Sequence, residues 1–337
     1  MADNINDNNT IVARKRLAPW IGIGAQGAWT DYMDAMRAAD LDFHVHSEDL
    51  YWDRPDGFSL DECKIGAGLT GYPCHPENVQ MYANVRGDTN QVLGLVTPRY
   101  EIVQNAEAFK VMQQVTDAGG VITNAGMTEQ GLCFMVARMH GKDVNGEEFE
   151  INIMATNSFN TAFPIALIIT PVRIICQNMY RRLMSNKDNL LVMRHNSHIH
   201  ERLISYNSAM GRLASYEDDF NAMAVALAAA SMSVADYKRL VEMIFPYPKP
   251  GGKYEQTSID KVDALRNMFH DEYYLASDNQ RWVGTPYGLV NAYYDYLSHG
   301  DNRKNMAGSW EDKRLSRLVD GSAVNNQVIK EAIKIAK

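Results

Sequence analysis

The stretch VITNAGMTEQGLCFMVARMHGKDVNGEEFEINIMA, residues 121–155, decides the fold. Apolar and polar residues alternate within 121–126, 132–140 and 149–155, and this period of two is typical of β-strands. A short polar run separates the first two segments, and Asn145-Gly146 is the dipeptide that tight hairpin turns prefer. Because short connections favour antiparallel neighbours, the stretch predicts the centre of an antiparallel sheet.

The upstream segments add a loop, a hairpin and a helix to this sheet. Residues 17–29 are rich in glycine and tryptophan and are predicted to form a loop. Residues 79–86 and 92–96 form a predicted hairpin. A helix is predicted over 104–118, with Asn105 as its N-cap, because its apolar residues repeat at helical spacing.

Downstream lies the most apolar run of the chain, IALIITPVRIIC (165–176). Periodicity alone does not separate a buried strand from a buried helix here. Proline is tolerated in the first turn of a helix but breaks a helix interior. We therefore predict a strand to about Thr170 and a helix from Pro171 through Met184.

The rest of the chain favours helices. Apolar residues spaced by alternating threes and fours predict a long helix over 200–230. They form a seam that packs either onto the protein's own sheet or against a second copy: Tyr206, Met210, Leu213, Tyr216, Phe220, Met223 and Leu227. Further helices are predicted at 234–245, 259–270, 287–298 and 325–336.

These patterns define an α+β fold class and a domain organisation. An antiparallel sheet with packed helices is predicted in the N-terminal two-thirds, and the C-terminal third is predicted to be mostly helical. The predicted parts are a disordered tail (1–16), an α+β core domain (17–245), a linker with the sequence PYPKPGG (246–252) and a helical region (253–337).

The composition is that of a folded protein from a reducing compartment. The chain has 337 residues, of which 46% are hydrophobic and 22% are charged. No apolar run reaches the ~18 residues that a membrane span needs, and the polar N-terminus lacks the apolar core of a signal peptide. We therefore expect a cytoplasmic protein without membrane contact. Its four cysteines are expected to be reduced, with Cys133 and Cys176 buried.

Charge is unevenly distributed along the chain. The net charge of −8 argues against nonspecific binding to duplex DNA, which depends on neutralising phosphates. Residues 40–62, however, contain eight acids and one base, whereas residues 173–202 contain six bases and two acids. The local field of the second stretch therefore differs in sign from that of the whole protein.

Two short motifs resemble ligand-binding patterns. Gly22 to Gly27 matches G-x-G-x-x-G, but the preceding RKRLAPW is not a strand, as a dinucleotide site requires, so a plain glycine-rich loop is favoured. The motif His195-x-x-His198-x-His200 has no cysteine or acid at a standard metal spacing, so a polar or basic surface is favoured over a metal site. We expect no metal and no other cofactor.

The sequence also lacks the common signatures of enzymes. It contains no P-loop, no G-x-S-x-G and no H-E-x-x-H motif. We therefore expect no catalytic residues and favour a protein that is not an enzyme.

The basic stretch 173–202 is the strongest functional signal. Proteins that bind single strands combine cations that follow the phosphates with aromatic rings that stack on bases. The alternative is a solvated helix face. The predicted nucleic-acid contacts are phosphate contacts from Arg173, Arg181, Arg182, Lys187 and Arg194, with stacking by Tyr180 and Phe159.

Several blocks of the sequence are similar to a family called phage/plasmid-like protein, which carries domain of unknown function 932. The blocks span about residues 18–336 in order: PWIGIGAQGAWT with AADLDFHV, VRGDTNQVLGLVTPRYEIVQNAEAF, ITPVRIICQN, MRHNSHIHERL, and GTPYGLVNAYYDYLSH with DGSAVNNQ. One departure is Ile21, where many relatives have histidine. If that histidine is catalytic in the relatives, this chain lacks it.

The resemblance implies a mobile-element origin but no assigned activity. The predicted order of helix, three strands and basic helix also resembles the core of single-strand annealing proteins of the Rad fifty-two and RecT/Redβ class. The first expectation is therefore a homo-oligomeric protein that binds single-stranded DNA in the host cell cytoplasm, within which annealing is the narrower role. The alternatives are an interaction protein that uses its acidic segment to modulate a host factor, and a nucleotide-using enzyme.

Overall fold

The structure, a computed structural model, describes residues 20–49, 51–52, 72–73, 81–173, 190–206, 213–251, 255–297 and 326–337. The predicted tail at 1–16 lies outside these ranges. So do most of the acidic segment beyond residue 49 and most of the predicted helix after Pro171.

Eleven strands in the described ranges form three sheets. They are β1 (Ala25–Trp29), β2 (Val45–Asp49), β3 (Tyr51–Trp52), β4 (Tyr72–Pro73), β5 (Tyr82–Arg86), β6 (Val92–Val96), β7 (Val121–Met127), β8 (Leu132–Val144), β9 (Glu147–Ser158), β10 (Ile165–Arg173) and β11 (Leu190–Met193). The main sheet is antiparallel, with the order β1-β7-β8-β9-β10-β11. A second sheet has the order β2-β5-β6, and β3 pairs with β4.

Helices follow and flank the strands. They are α1 (Tyr32–Ala38), α2 (Asn105–Ala108), α3 (Val111–Asp117), α4 (Ile199–Tyr206), α5 (Leu213–Ala229), α6 (Val234–Ile244), α7 (Glu255–Leu275), α8 (Pro286–Asp295) and α9 (Asn326–Ile335), with a short 3-10 turn at Gln280–Trp282. The described part of the chain has a sheet-rich N-terminal portion and a helical C-terminal portion. The predicted α+β class is therefore confirmed.

The central hairpins follow the sequence prediction closely. β7, β8 and β9 pair as an antiparallel meander. The β8–β9 turn consists of Asn145 and Gly146 at φ 57° and 70°, and this positive φ at both positions is the reason for the Asn-Gly preference. The predicted hairpin of β5 and β6 is also confirmed.

Alternate residues of β9 face the helices. Glu147 contacts the segment around α8, Phe149 packs edge-on against Phe220 of α5 at 5.3 Å, and Asn157 donates a hydrogen bond to Asn105 of α2. Since side chains two residues apart share one face of a strand, one face of the sheet meets three different helical segments. The apolar core runs without interruption from this face into α8.

Residues 25–29 of the predicted loop form a strand, so the loop prediction was wrong there, whereas residues 20–24 form turns and bends. β1 is the edge of the main sheet and pairs with β7, with Ala25 opposite Ala125. Gly24 has φ 66°, and a Cβ added to it would lie 2.2 Å from the carbonyl oxygen of Ala125. The glycine is therefore needed for close approach of two backbones, and no helix begins at the glycines as a dinucleotide site requires.

Two further local predictions need correction. β10 continues through Pro171 to Arg173, because Pro171 lies opposite Ile151 in the β9–β10 register and keeps its extended backbone. The predicted helix start at Pro171 was therefore wrong. The N-cap of α2 is Gln104, while Asn105 is the first helical residue and is fully buried.

Two of the C-terminal helices, α8 and α9, pack against α5. Phe220 and Leu227, two members of the predicted seam, are fully buried within this chain. The single helix predicted over 200–230 corresponds to α4 and α5, and residues 207–212 lie outside the described ranges. Ser233 caps α6 by accepting a hydrogen bond from the amide of Asp236, as its position in the sequence indicates. Within the described ranges, every helix is too short or too polar to cross a membrane.

Candidate anion-binding cleft

Three separate segments of the chain form an open cleft of about 560 Å³ at one end of the main sheet. They are the turn after β6, the β9–β10 loop and the end of β11. The lining residues among the described ranges are Thr97, Arg99, Tyr100, Asn160, Thr161, Ala162, Phe163, Pro164, Val192, Arg194, His195 and Asn196. A volume of this size is typical of sites that hold one small ligand or one unit of a polymer.

The β9–β10 loop is held rigidly at the base of the cleft. The Asn160 side chain donates to the carbonyl of Gln130 at 3.0 Å and accepts from the amide of Ala162 at 2.9 Å. Gly94 and Gly131 make room for it, because a Cβ on either would lie within 2.7 Å of its atoms. The loop conformation is therefore fixed by contacts with the β7–β8 turn and with strand β6.

His195 is the buried polar group of the cleft. The residue is 9% exposed, and its ring stacks on Tyr100, with centroids 4.6 Å apart and planes at 10°. Nδ1 lies 3.1 Å from the carbonyl oxygen of Glu101, which can only accept, so Nδ1 carries the proton and Nε2 is a bare acceptor. Burial lowers the pKa of His195 from its usual value near 6.5 to about 4, so the ring is neutral near pH 7.

Nε2 of His195 has no hydrogen-bond partner among the described residues, and neither has Oδ1 of the adjacent Asn196. Both atoms are buried, and a buried acceptor without a donor costs free energy. Tyr100 is satisfied, because its hydroxyl donates to the carbonyl of Ser158 at 2.8 Å, and burial raises its pKa well above the usual value.

The cleft is positively charged. Arg99 and Arg194 are exposed, and neither forms an ion pair with a residue that the structure describes. No acidic side chain belongs to the described lining. Arg86 shows the contrast, because its 8% exposed side chain pairs with Asp40 at 2.8 Å and Asp88 at 2.7 Å. The arginines of the cleft thus keep their charge available for an anion.

A second buried polar cluster lies at the other end of β9. The carboxylate of Glu147, 4% exposed, accepts from Nε1 of Trp282 at 2.8 Å and from the hydroxyl of Tyr287 at 2.8 Å. Arg281 pairs with the same carboxylate at 2.9 Å. These partners satisfy the buried charge and fix the segment before α8 onto the sheet.

The predicted nucleic-acid contacts are only partly brought together. Arg194 lines the cleft. Phe159 is 2% exposed and packs against Phe43 at 5.7 Å, so its predicted stacking on a base was wrong: the aromatic ring belongs to the core. Arg173 ends β10 in the described backbone. The other four predicted contacts, Tyr180, Arg181, Arg182 and Lys187, lie outside the described residues.

The three histidines of the motif lie in different environments. His195 is buried, contrary to the predicted polar surface, whereas His198 and His200 are exposed and lie near Glu201 at 3.7 Å and Glu107 at 2.8 Å. Each of the three rings therefore has its own set of neighbours. In the described part of the chain, no group of three or more histidines, cysteines and acids is placed to hold a metal ion.

Sequence reasoning missed Arg99 and Tyr100. Both follow Pro98 in the quoted block VTPRYE, and nothing in their spacing connects them to residues 192–196. Of the thiols, Cys133 is free and fully buried, as predicted, and burial raises its pKa to about 12. The three remaining cysteines lie outside the described ranges.

Taken together, the sheet, the helical layer and the cleft define an α+β protein with a positively charged surface site. The chain belongs to the family described as domain of unknown function (DUF932), whose model matches residues 92–320. The matched range includes most of the main sheet and all three segments that form the cleft. Neither the curated proteins nor the solved structures provide a match to this chain.

Proposed function

We propose that the protein binds single-stranded nucleic acid, with DNA as the expected strand, through the cleft that Arg99 and Arg194 flank. The observation that carries the proposal is the charge arrangement. Two arginines from distant parts of the chain flank one cleft, neither is paired with a described acid, and the described lining has no carboxylate. Guanidinium groups in this setting are typical phosphate ligands.

The form of the cleft favours a single strand over a duplex. The protein as a whole carries a charge of −8, so a long phosphate surface is repelled at a distance and only close, local contacts offset that repulsion. A volume of about 560 Å³ takes a nucleotide whose base is free, whereas the bases of a duplex are held inside the stack.

The basic stretch extends this proposal beyond the cleft. The segment from Arg173 to Arg194 carries five of the six bases found between 173 and 202, and Tyr180 would supply a stacking ring. A phage or plasmid origin and a role in strand annealing are further parts of the proposal. They rest on the sequence resemblance and on the predicted order of elements, whose basic helix lies outside the described residues, so they are an argument by analogy.

The direct test is a binding series by fluorescence anisotropy with labelled single-stranded and double-stranded DNA at several salt concentrations. We expect tighter binding to the single strand and an affinity that falls as salt rises. The changes Arg99→Ala and Arg194→Ala should each weaken binding and flatten the salt slope by about one, the value for one lost phosphate contact.

Arg37→Ala is the matched control. Arg37 is 59% exposed and lies on α1, which packs beside β1 and β7 at the opposite edge of the main sheet from β11. It should leave the affinity and the salt slope unchanged. Equal losses for all three variants, or no binding of any strand by the wild-type protein, would refute the proposal and move a protein partner to first place.

A further inference from the structure

The groups in the cleft require more of a ligand than a negative charge. Two guanidinium groups require an anion. Beside them, two consecutive residues, His195 and Asn196, carry buried acceptor atoms that have no donor among the described residues. A plain phosphate diester has only acceptor oxygens and would leave these two atoms unsatisfied.

His195 is held in this acceptor state by its surroundings. The Glu101 carbonyl fixes the proton on Nδ1, and the stack on Tyr100 fixes the plane of the ring. The lone pair of Nε2 therefore has one direction and one chemical role near neutral pH. Because Nε2 is buried, a ligand N–H or O–H group reaches it only when the groups that cover it move, and the new bond then removes the cost of an unpaired buried acceptor.

We infer that the cleft recognises a hydrogen-bond donor of the bound nucleotide, with His195 Nε2 and Asn196 Oδ1 as acceptors and Arg99 and Arg194 on its phosphate. This inference rests on the proposed function and deepens it. Within a nucleotide, the donor comes from one of two sources, the amino group of a base or the 2′-hydroxyl of a ribose. The chemistry is shared, since both groups present a hydrogen to a neutral acceptor.

Three labelled strands of equal length separate these sources: oligodeoxycytidylate, oligoribocytidylate and a deoxy strand with abasic tetrahydrofuran sites. All three carry the same phosphates. If the base amino group is the donor, the abasic strand should bind about tenfold more weakly than oligodeoxycytidylate, the factor for one hydrogen bond to a buried acceptor. If the 2′-hydroxyl is the donor, oligoribocytidylate should bind about tenfold more tightly than its deoxy counterpart.

Variants assign the preference to the two acceptors. His195→Asn keeps an N–H near the position of Nδ1 but removes the acceptor at Nε2, whereas His195→Gln places an amide near Nε2. The first should abolish the preference between strands and the second should retain part of it. Asn196→Ala alters a half-buried side chain, so it is a second variant that should fold, and it should reduce the preference. Thermal unfolding of each variant confirms that it is folded.

The outcomes distinguish this inference from the proposed function. If the strands bind equally to the wild-type protein while Arg99→Ala and Arg194→Ala still weaken binding, the donor recognition is refuted and the phosphate site stands. A strand preference that survives in folded His195→Asn and Asn196→Ala also overturns the inference. If no strand binds, both fall together.

Discussion

The two ends of β9 carry buried polar groups in opposite conditions. At its start, Glu147 is a buried carboxylate that receives hydrogen bonds from Trp282 and Tyr287 and an ion pair from Arg281. Beyond its other end, His195 has one satisfied nitrogen and one without a described partner. Buried polar groups are almost always paired, so the Glu147 cluster is explained by its own partners, whereas the unpaired nitrogen of His195 is the basis of the proposed recognition of a donor.

This contrast separates residues that stabilise the fold from residues that keep binding capacity. The Glu147 cluster joins the sheet to the segment before α8, which lies about 135 residues further along the chain. The hydrogen bonds and the ion pair of this cluster therefore stabilise the contact between the sheet and that segment. The cleft is formed by loops, and two of its buried acceptors, Nε2 of His195 and Oδ1 of Asn196, have no hydrogen-bond partner among the described residues.

The largest effect is expected where the satisfied cluster is broken. Glu147→Ala removes the acceptor of the half-buried Trp282 indole and of the buried Tyr287 hydroxyl and should lower the free energy of unfolding by about 4 kcal/mol. Urea unfolding measures this value. Glu148→Ala removes the exposed carboxylate next to it and should change stability by less than about 0.5 kcal/mol. Similar values for the two variants would show that the cluster does not stabilise the fold.

The second effect is a pH dependence that belongs to His195. Its folded pKa of about 4 is below the unfolded value near 6.5, so the unfolded chain binds more protons between these values. The contribution of neutral His195 to the free energy of unfolding is therefore fully present above about pH 6.5. It is lost as the pH falls, by up to about 3 kcal/mol at pH 4. His195→Asn removes the titrating ring, so the stability gap between wild type and variant should shrink on acidification. A gap that stays constant from pH 7 to pH 4 would contradict this assignment.

A smaller loss of stability is expected when one tyrosine hydroxyl is removed at either end of β9. Tyr287→Phe removes a donor to the buried carboxylate of Glu147 and should cost about 2 kcal/mol, because hydrogen bonds to charged groups are the stronger ones. Tyr100→Phe removes a donor to the carbonyl of Ser158 and should cost about 1 kcal/mol. Chemical unfolding of both variants gives the order directly, and the reverse order would break the comparison.

The smallest effect is expected for Arg281→Ala. Its side chain is 51% exposed although it pairs with a buried acid, so water and salt screen the pair. The free energy of unfolding should fall by less than about 1 kcal/mol, with little further change in high salt. A loss comparable to that of Glu147→Ala would mean that the ion pair, and not the two neutral donors, satisfies the carboxylate.

The sequence predicted those parts of the fold that depend on neighbours in the chain. The meander β7 to β9 was predicted because its alternation and its Asn145-Gly146 turn are local signals. The strand β1 was missed because its partner is β7, so its glycines were interpreted without the backbone that they approach. Pro171 was taken as a helix start because its strand register is set by β9.

The candidate site was less accessible to sequence reasoning than the fold. Arg194 was predicted from local charge, but its partner Arg99 is about 95 residues away and has no spacing that connects the two. His195 was interpreted as part of an exposed motif with two other histidines. Its burial could not be predicted, because it depends on contacts with Tyr100 and Glu101 from another part of the chain. Phe159 follows a strand of buried residues, and that apolar environment was the available sign that it belongs to the core.

The pairing of β1 with β7 also determines when the main sheet can be completed during synthesis. Ala25 leaves the ribosome 100 residues before its partner Ala125. At a rate of about 5–20 residues per second, β1 waits for roughly 5–20 s before β7 exists. During that time the segment AQGAW has no strand of the main sheet to pair with, whereas β7, β8 and β9 can join as soon as each is made. β1 is therefore the first strand of the main sheet to be synthesised, but it can pair only after the meander of β7, β8 and β9 has begun to form.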